Sequence, residues 1–151
     1  MEPAPLDASV VSLVAGSCLC RRIQQASRTV GKRFDEAFRP VGLSNWQFTL
    51  LMALAAPKPR TVSQVAADLG MDRTTATKNL QPLERRGLVE IRADVKDRRV
   101  RRITLTREGQ ALLGEAIARW RTVNEAVAAP LSRGDLAALM SGLEAISAEQ
   151  D

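Results

Sequence analysis

Between Thr61 and Thr106 the chain is punctuated so closely that only short elements fit, and this run constrains the fold more than any other feature. Thr61-Val62-Ser63-Gln64 has the spacing of a capping box, in which two side chains each satisfy a free backbone N–H at a helix start. The helix it opens reaches only about Leu69 before Gly70, a residue suited to the left-handed conformation that closes a helix. Asp72 suits a second N-cap, for a helix from Arg73 to about Arg86 ended by Gly87. Two short helices about a tight glycine turn describe a helix-turn-helix. Pro82 removes a hydrogen bond from the second of them, at roughly 3 kcal/mol in a helix interior. A kink near Lys78–Pro82, or an earlier end to the regular helix, is therefore expected. Leu88–Arg92 and Arg99–Thr106 then read as strands, with Val89, Ile91, Ile103 and Leu105 at the apolar positions and a polar loop between them. A helix-turn-helix followed at once by a hairpin is a winged helix.

The flanks are helical. Residues 1–9, with Pro3 and Pro5, read as a loose arm. One long helix is expected from about Val10 to Arg39, with Leu13, Cys20, Ile23, Val30, Phe34 and Ala37 as its apolar stripe. Pro40 and Gly42 end it. Ser44 and Gln47 form another capping box, with Leu43 and Phe48 placed as a hydrophobic staple. The helix behind them carries Phe48, Leu51, Met52 and Leu54 inward and stops by Pro57. Thr106 caps a long helix to Ala129, Pro130 breaks it, and Ser132 with Asp135 starts a last one. A small winged unit cannot cover the terminal stripes, and a second copy of the chain can, although coverage by the chain itself remains an alternative. The expected class is mainly α with a small β-hairpin wing. Its organisation is an arm over residues 1–9, an N-terminal dimerisation helix over 10–42, a winged helix-turn-helix over 43–106 and C-terminal dimerisation helices over 107–151.

Charge points to a polyanion. The net charge is +5, but Lys58 to Arg107 holds thirteen basic and six acidic residues, a local +7, which leaves −2 for the remainder. On the second short helix Arg73, Thr74, Thr75, Thr77 and Lys78 face outward. Arginine can donate two bonds to a guanine edge, threonine methyls can touch thymine methyls, and lysine can reach guanine or phosphate. A solvated polar face explains that pattern equally well in isolation. The wing tips the balance, because Arg92, Lys96, Arg98, Arg99, Arg101 and Arg102 crowd one hairpin at an electrostatic cost that a partner would offset. Asp94 and Asp97 are expected to pair with these arginines and shape the loop. All five aromatics (Phe34, Phe38, Trp46, Phe48, Trp120) lie outside the basic segment, so the stacking platforms of a single-strand binder are missing and duplex DNA is favoured.

Other functions find little support. Histidine is absent, which removes the commonest general base and metal ligand. No phosphate loop or ligand cluster is present, so neither an enzyme, a cofactor nor a metal site is expected. No apolar run is long enough to span a bilayer, and no signal peptide is apparent, so the default is cytoplasmic. Cys18 and Cys20 are too few for a disulfide scaffold. Residues two apart on a helix point roughly 200° from each other, so a bond between them needs the helix broken. Cys20 is most simply a small core hydrophobe, and Cys18 has arginines nearby that would favour its thiolate.

The run Leu69-Gly70-Met71-Asp72-Arg73-Thr74-Thr75-Ala76-Thr77-Lys78-Asn79-Leu80, then Leu83-Glu84-Arg85-Arg86-Gly87-Leu88-Val89, then Asp94-Val95-Lys96-Asp97-Arg98-Arg99 before Leu105-Thr106, resembles the MarR (multiple antibiotic resistance regulator) family. The resemblance covers roughly Cys18 to Ile146, and a proline at the position of Pro82 is familiar within it. It implies a homodimer on a near-palindromic operator, with Arg73–Asn79 as the recognition helix, so that Asn79 joins the DNA-binding set with Lys96, Arg98 and Arg99 of the wing. The family's wing usually has an arginine between the two aspartates. Here that place holds Lys96, less suited to planar contacts, with Arg98 or Arg99 as candidates to share the work. The resemblance also implies a small, often phenolic or acidic, effector bound between the two regions. Arg21, Phe34, Trp46, Phe48 and Trp120 are candidates to line its pocket, though each aromatic also serves as plain core. The leading expectation is thus a repressor released by an effector. A redox switch at Cys18 or Cys20, a winged-helix module for an acidic protein surface and, most remotely, a thiol enzyme are the alternatives.

Overall fold

The computed structural model describes residues 6–148. Helix α1 (Ala8–Ser17) is capped by Asp7, whose Oδ1 accepts from the Ser9 N–H at 2.8 Å. The helix therefore begins inside the expected arm, whose residues 1–5 lie outside the described residues, as do residues 149–151 of the C-terminal region. Nor is the first helical segment continuous. Cys18 is extended (φ −66°, ψ 104°) and separates α1 from α2 (Leu19–Phe38). Local chemistry accounts for the break. Ser17 Oγ donates back to the Leu13 carbonyl at 2.6 Å, a bond that competes with the helix ladder, and Gly16 beside it is a weak helix former. The Arg21 guanidinium then donates to the Ala15 carbonyl at 2.8 Å, occupying an acceptor that the helix end leaves free.

A 3-10 turn over Arg39–Val41 and Gly42 (φ 65°) reverse the chain into α3 (Asn45–Leu54). Both halves of the Ser44–Gln47 capping box form, at 3.1 and 3.0 Å, and the staple residues Leu43 and Phe48 are buried. Strand β1 (Arg60–Thr61) precedes α4 (Val62–Asp68), where the Thr61–Gln64 box also closes. Gly70 (φ 61°) makes the turn to α5 (Arg73–Arg85). This helix runs three residues past Pro82, to within one residue of the end that Gly87 predicts, and does not stop early at the proline. The carbonyl that proline leaves unpaired belongs to Lys78, an exposed residue whose backbone water can serve, while buried Leu80 and Leu83 hold the helix on either side.

Strands β2 (Val89–Ala93) and β3 (Arg101–Leu105) form the antiparallel hairpin, with Ile91 opposite Ile103 and Arg92 opposite Arg102. β1 pairs with the other edge of β3, giving the order β1-β3-β2. Helix α6 (Arg107–Ala128) starts at the Thr106 cap and α7 (Arg133–Ser147) at Ser132. Phe38, Leu50, Leu51, Leu80, Leu83, Ile103 and Val65 are fully buried. Phe38 stacks on Phe48 with ring centroids 4.5 Å apart and meets Phe34 at 6.0 Å, joining α2 to α3. Met52, expected inside, is 43% exposed, because Leu50 and Leu51 take the inward positions of α3. The stripe on the first segment divides at the break. Phe34 is core, whereas Leu13 and Cys20 are exposed, so Cys20 is not the core hydrophobe expected. Helices α1 and α7 bury no residue at all.

Candidate nucleic-acid interface

The recognition face is built by α5. Ala76, Leu80 and Leu83 seat one side of it in the core, and Thr74, Lys78, Gln81 and Arg85 run along the opposite side at helix spacing. Arg73 and Thr77 flank that row. Asp72 fixes the helix start by accepting the Thr75 N–H and the Thr75 hydroxyl, both at 2.8 Å. Those two bonds hold its carboxyl below the ordinary carboxylate range. The hydroxyl of Thr77 donates to the Arg73 carbonyl at 2.8 Å, and the Asn79 amide to the Thr75 carbonyl at 2.9 Å. The predicted set therefore divides. Arg73, Thr74 and Lys78 make no described side-chain bond, Thr77 keeps its methyl available, and Thr75 and Asn79 are engaged by the helix itself.

The wing is shaped by its acids. Asp94 Oδ1 accepts the N–H groups of Lys96 at 2.8 Å and Asp97 at 3.1 Å, while Oδ2 pairs with Arg102 across the hairpin. Arg102 first, then the two backbone N–H groups, bring the Asp94 carboxyl down to about 2. Asp97 accepts the Arg99 N–H at 3.0 Å. Arg92 is paired to Glu90 at 2.6 Å. Lys96, Arg98, Arg99 and Arg101 stay exposed, with no ion pair among the described residues. The expected pairing with a wing arginine therefore holds for Asp94; Asp97 makes no ion pair among the described residues and shapes the loop through a backbone N–H instead. The sequence reading missed Val95, fully exposed at the tip beside Lys96, and Arg85, whose place at the end of the outward row was readable from the helix period.

The two elements meet. A cavity of about 260 Å³ lies between the start of α5 and the wing base, lined by Thr61, Ser63, Arg73, Arg99 and Arg101 among others. Arg73 and Arg99, 26 positions apart, thus face one space with Arg101, which the sequence did not place in the site. Outside the winged unit, the effector candidates do not converge. Phe34 and Phe48 pack with Phe38 in the core, Arg21 holds the α1–α2 break, and Trp46 and Trp120 are exposed by 53% and 37%. None of the five lines the 260 Å³ cavity at the wing base, and Phe38 fills the space between Phe34 and Phe48. Cys18 is half-buried at the break and Cys20 is exposed, its sulfur 3.4 Å from the Gln24 amide. No described helix is long and apolar enough to cross a membrane.

Two short helices about a glycine turn, a cationic hairpin beside them and a basic cavity joining the two define a winged helix-turn-helix protein. The chain belongs to the MarR family, whose pattern residues 41–100 match. It is 38% identical to the transcriptional regulator MosR of M. tuberculosis, solved in complex with DNA, over 87% of this chain and all of that one, with a TM-score of 0.72. It is 29% identical to the transcriptional repressor CouR, solved on a 23-mer DNA duplex, over 96% of this chain and all of that one, with a TM-score of 0.82. An uncharacterised HTH-type transcriptional regulator of Bacillus subtilis, YwoH, is 29% identical over 61% of this chain, a match spanning 66% of that protein's length.

Proposed function

We propose that this protein is a homodimeric transcriptional repressor that grips duplex operator DNA with α5 in the major groove and the wing in the adjacent minor groove. The observation that carries this reading is the convergence of Arg73 from α5 with Arg99 and Arg101 from the wing on one basic cavity, which lets a backbone phosphate fix helix and hairpin in register. The DNA complexes of MosR and CouR support it. Dimerisation is supported by α1 and α7, where Leu13, Val14, Leu139, Met140 and Ile146 are 47–67% exposed on helices that no other element of the chain covers substantially. A two-fold dimer places its recognition helices about 34–36 Å apart, one turn of DNA, and so calls for a near-palindromic site. Release by a small phenolic or acidic effector, in a cytoplasmic protein without cofactor, completes the reading.

The test is a titration against labelled duplex from the gene's own upstream region, beside a scrambled duplex, at two salt concentrations. Specific binding tighter by at least about 10³-fold, weakening steeply with salt, is the expected result. No binding to either duplex at low salt overturns it in favour of a module that docks an acidic protein.

A second mode of release is favoured by the extended backbone at Cys18. Cys18 is the extended residue at the helix break and Cys20 lies in the first turn of α2, so no continuous helix runs through both, the condition that a bond between them requires. One peroxide would take two electrons and two protons from the thiols, giving a disulfide and two waters. Peroxide should then weaken operator binding in the wild type and leave Cys18→Ser and Cys20→Ser unaffected. Equal sensitivity in both variants discards this mode.

A further inference from the structure

We propose that the link Arg86–Leu88 is the joint that holds the two recognition helices of the dimer at one spacing, with Arg86 as its positioning residue. This role rests on the homodimeric operator-binding reading and deepens it, since it names what sets the register between half-sites.

What the core leaves open is the swivel of α5. Ala76, Leu80 and Leu83 seat the helix along a single stripe, which fixes its depth better than its direction in the plane of the core. The ends must supply the direction. At the first turn Asp72 acts only locally, and the Gly70 turn ties that end to α4. The other end is tied across the fold. Arg86, the C-cap of α5, reaches 44 positions back along the chain and donates to the Gly42 carbonyl at 2.6 Å. That carbonyl lies just past the Arg39–Val41 turn that closes α2, where free acceptors and the negative end of a helix favour a cation. Arg86 makes no ion pair among the described residues, so this is the one bond described for its side chain. Gly42 is suited to receive it, since at φ 65° its missing Cβ would stand 3.3 Å from Arg86 Nη2.

The next two residues are held from α6. The Thr106 hydroxyl donates to the Gly87 carbonyl at 2.6 Å and the Thr106 N–H to the Leu88 carbonyl at 3.1 Å. Gly109, in the first turn of α6, lies so near the Leu88 oxygen that a Cβ there would overlap it. Three residues thus gather the end of α5, the start of β2, the end of α2 and the start of α6. Helices α2 and α6 pack on each other and lead to α1 and α7, the exposed apolar helices. With a pivot at Leu80, Arg73 stands about 10 Å out, and a swivel of about 10° moves it by roughly 2 Å. A hydrogen bond to a base edge does not survive that displacement, and a two-fold dimer repeats it at both half-sites.

The test compares wild type, Arg86→Met and Arg86→Lys, all full length, on duplex from the upstream region with its half-sites located by footprinting. The same duplex is then given one base pair more or fewer between the half-sites, a shift of about 3.4 Å and a tenth of a turn. Wild type should discriminate against both altered spacings. Arg86→Met should reduce that discrimination by about tenfold, the lower end for a hydrogen bond from a charged group. Arg86→Lys keeps a cationic donor and should recover most of it. Affinity for a duplex with a single half-site should change less than about twofold, a split that partial unfolding would not produce. In the free protein, spin labels at Gln81→Cys in a Cys18→Ser, Cys20→Ser background should give one narrow distance distribution that widens in Arg86→Met. Equal spacing profiles in wild type and Arg86→Met, or a lysine variant no better than methionine, overturn the joint and leave the operator reading intact. Parallel loss of single-site and full-operator affinity reduces Arg86 to a folding role and also overturns it. If wild type prefers no duplex, the operator reading fails and the label distances alone decide the joint. Absence of any distance between labels, the mark of a monomer, overturns both.

Discussion

The winged unit and the two terminal helices follow opposite rules. Between Val41 and Ala116 nearly every inward apolar side chain is buried, and the joints are closed by specific bonds. The Arg86 guanidinium donates to the Gly42 carbonyl at 2.6 Å, the Thr106 hydroxyl donates to the Gly87 carbonyl at 2.6 Å, and the Thr106 N–H donates to the Leu88 carbonyl at 3.1 Å. Helices α1 and α7 are well capped, by Asp7 and Ser132, yet bury nothing. Good caps on an unburied helix show that local signals write the helix, while the packing that stabilises most helices is missing from these two within the chain. The winged unit buries its own apolar surface, whereas the ends leave theirs open, the surface that the proposed dimer would cover.

The largest effect expected from this contrast is on stability. Leu80→Ala removes a fully buried side chain between α5 and the core and should cost about 2–5 kcal/mol, at any protein concentration. The double change Leu139→Ala, Leu143→Ala on α7 should lower the melting temperature only through lost association, so the loss should vanish in sedimentation-matched monomers. A concentration-independent loss of similar size in both variants would break the comparison. Next comes Gly109→Ala. The Leu88 carbonyl leaves no room for a methyl, and the shift that α6 must make should cost about 1–3 kcal/mol in thermal melts.

Much of this was legible in the sequence, and the exceptions share a cause. Ser44–Gln47, Thr61–Gln64, Asp72 and Thr106 all cap where their spacing says, because capping is settled within four residues. The outward α5 row and the loop-shaping aspartates are equally local. β1 has two residues and no pattern of its own, and exists only because the edge of β3 passes beside it. The break at Cys18 turns on a Ser17 back-bond inside an otherwise periodic stretch. Phe38 and Leu50, which fill the centre, lie just off the predicted stripes. The basic cavity follows from no single segment. It arises where the wing base meets a helix distant in sequence, Arg73 to Arg99.

Within the winged unit the contrast sharpens into one between recognition helix and wing. Lys78→Ala removes the centre of the outward α5 row and should cost about 1–3 kcal/mol of operator affinity while relaxing sequence preference. Arg98→Ala removes an unpaired wing cation. It should weaken all duplexes alike and reduce the salt slope by about 1. If the two substitutions change preference and salt slope equally, helix and wing are not dividing the work between base edges and backbone.

The smallest effect concerns the order of the wing itself. Asp94 has a folded pKa of about 2 against an ordinary 3.8, so its contribution is present above about pH 4 and is lost as the pH falls through 2. From pH 5 to 8 it is constant. Amide protection at Lys96 and Asp97 should therefore be flat across the neutral range and fall only in acid, ahead of the core amides of α5. Asp94→Asn leaves an oxygen to accept the Lys96 and Asp97 N–H groups but loses the charge that faces Arg102. It should leave the global melting temperature unchanged, reduce wing protection at neutral pH and free one more cation. Binding to scrambled duplex should then tighten slightly while the preference for operator falls. A wing equally protected in both proteins would show that the strand register Arg92–Arg102 orders the hairpin without the carboxylate. The recognition helix and the wing would then be equally independent of charge, and only the cations that face outward would distinguish them.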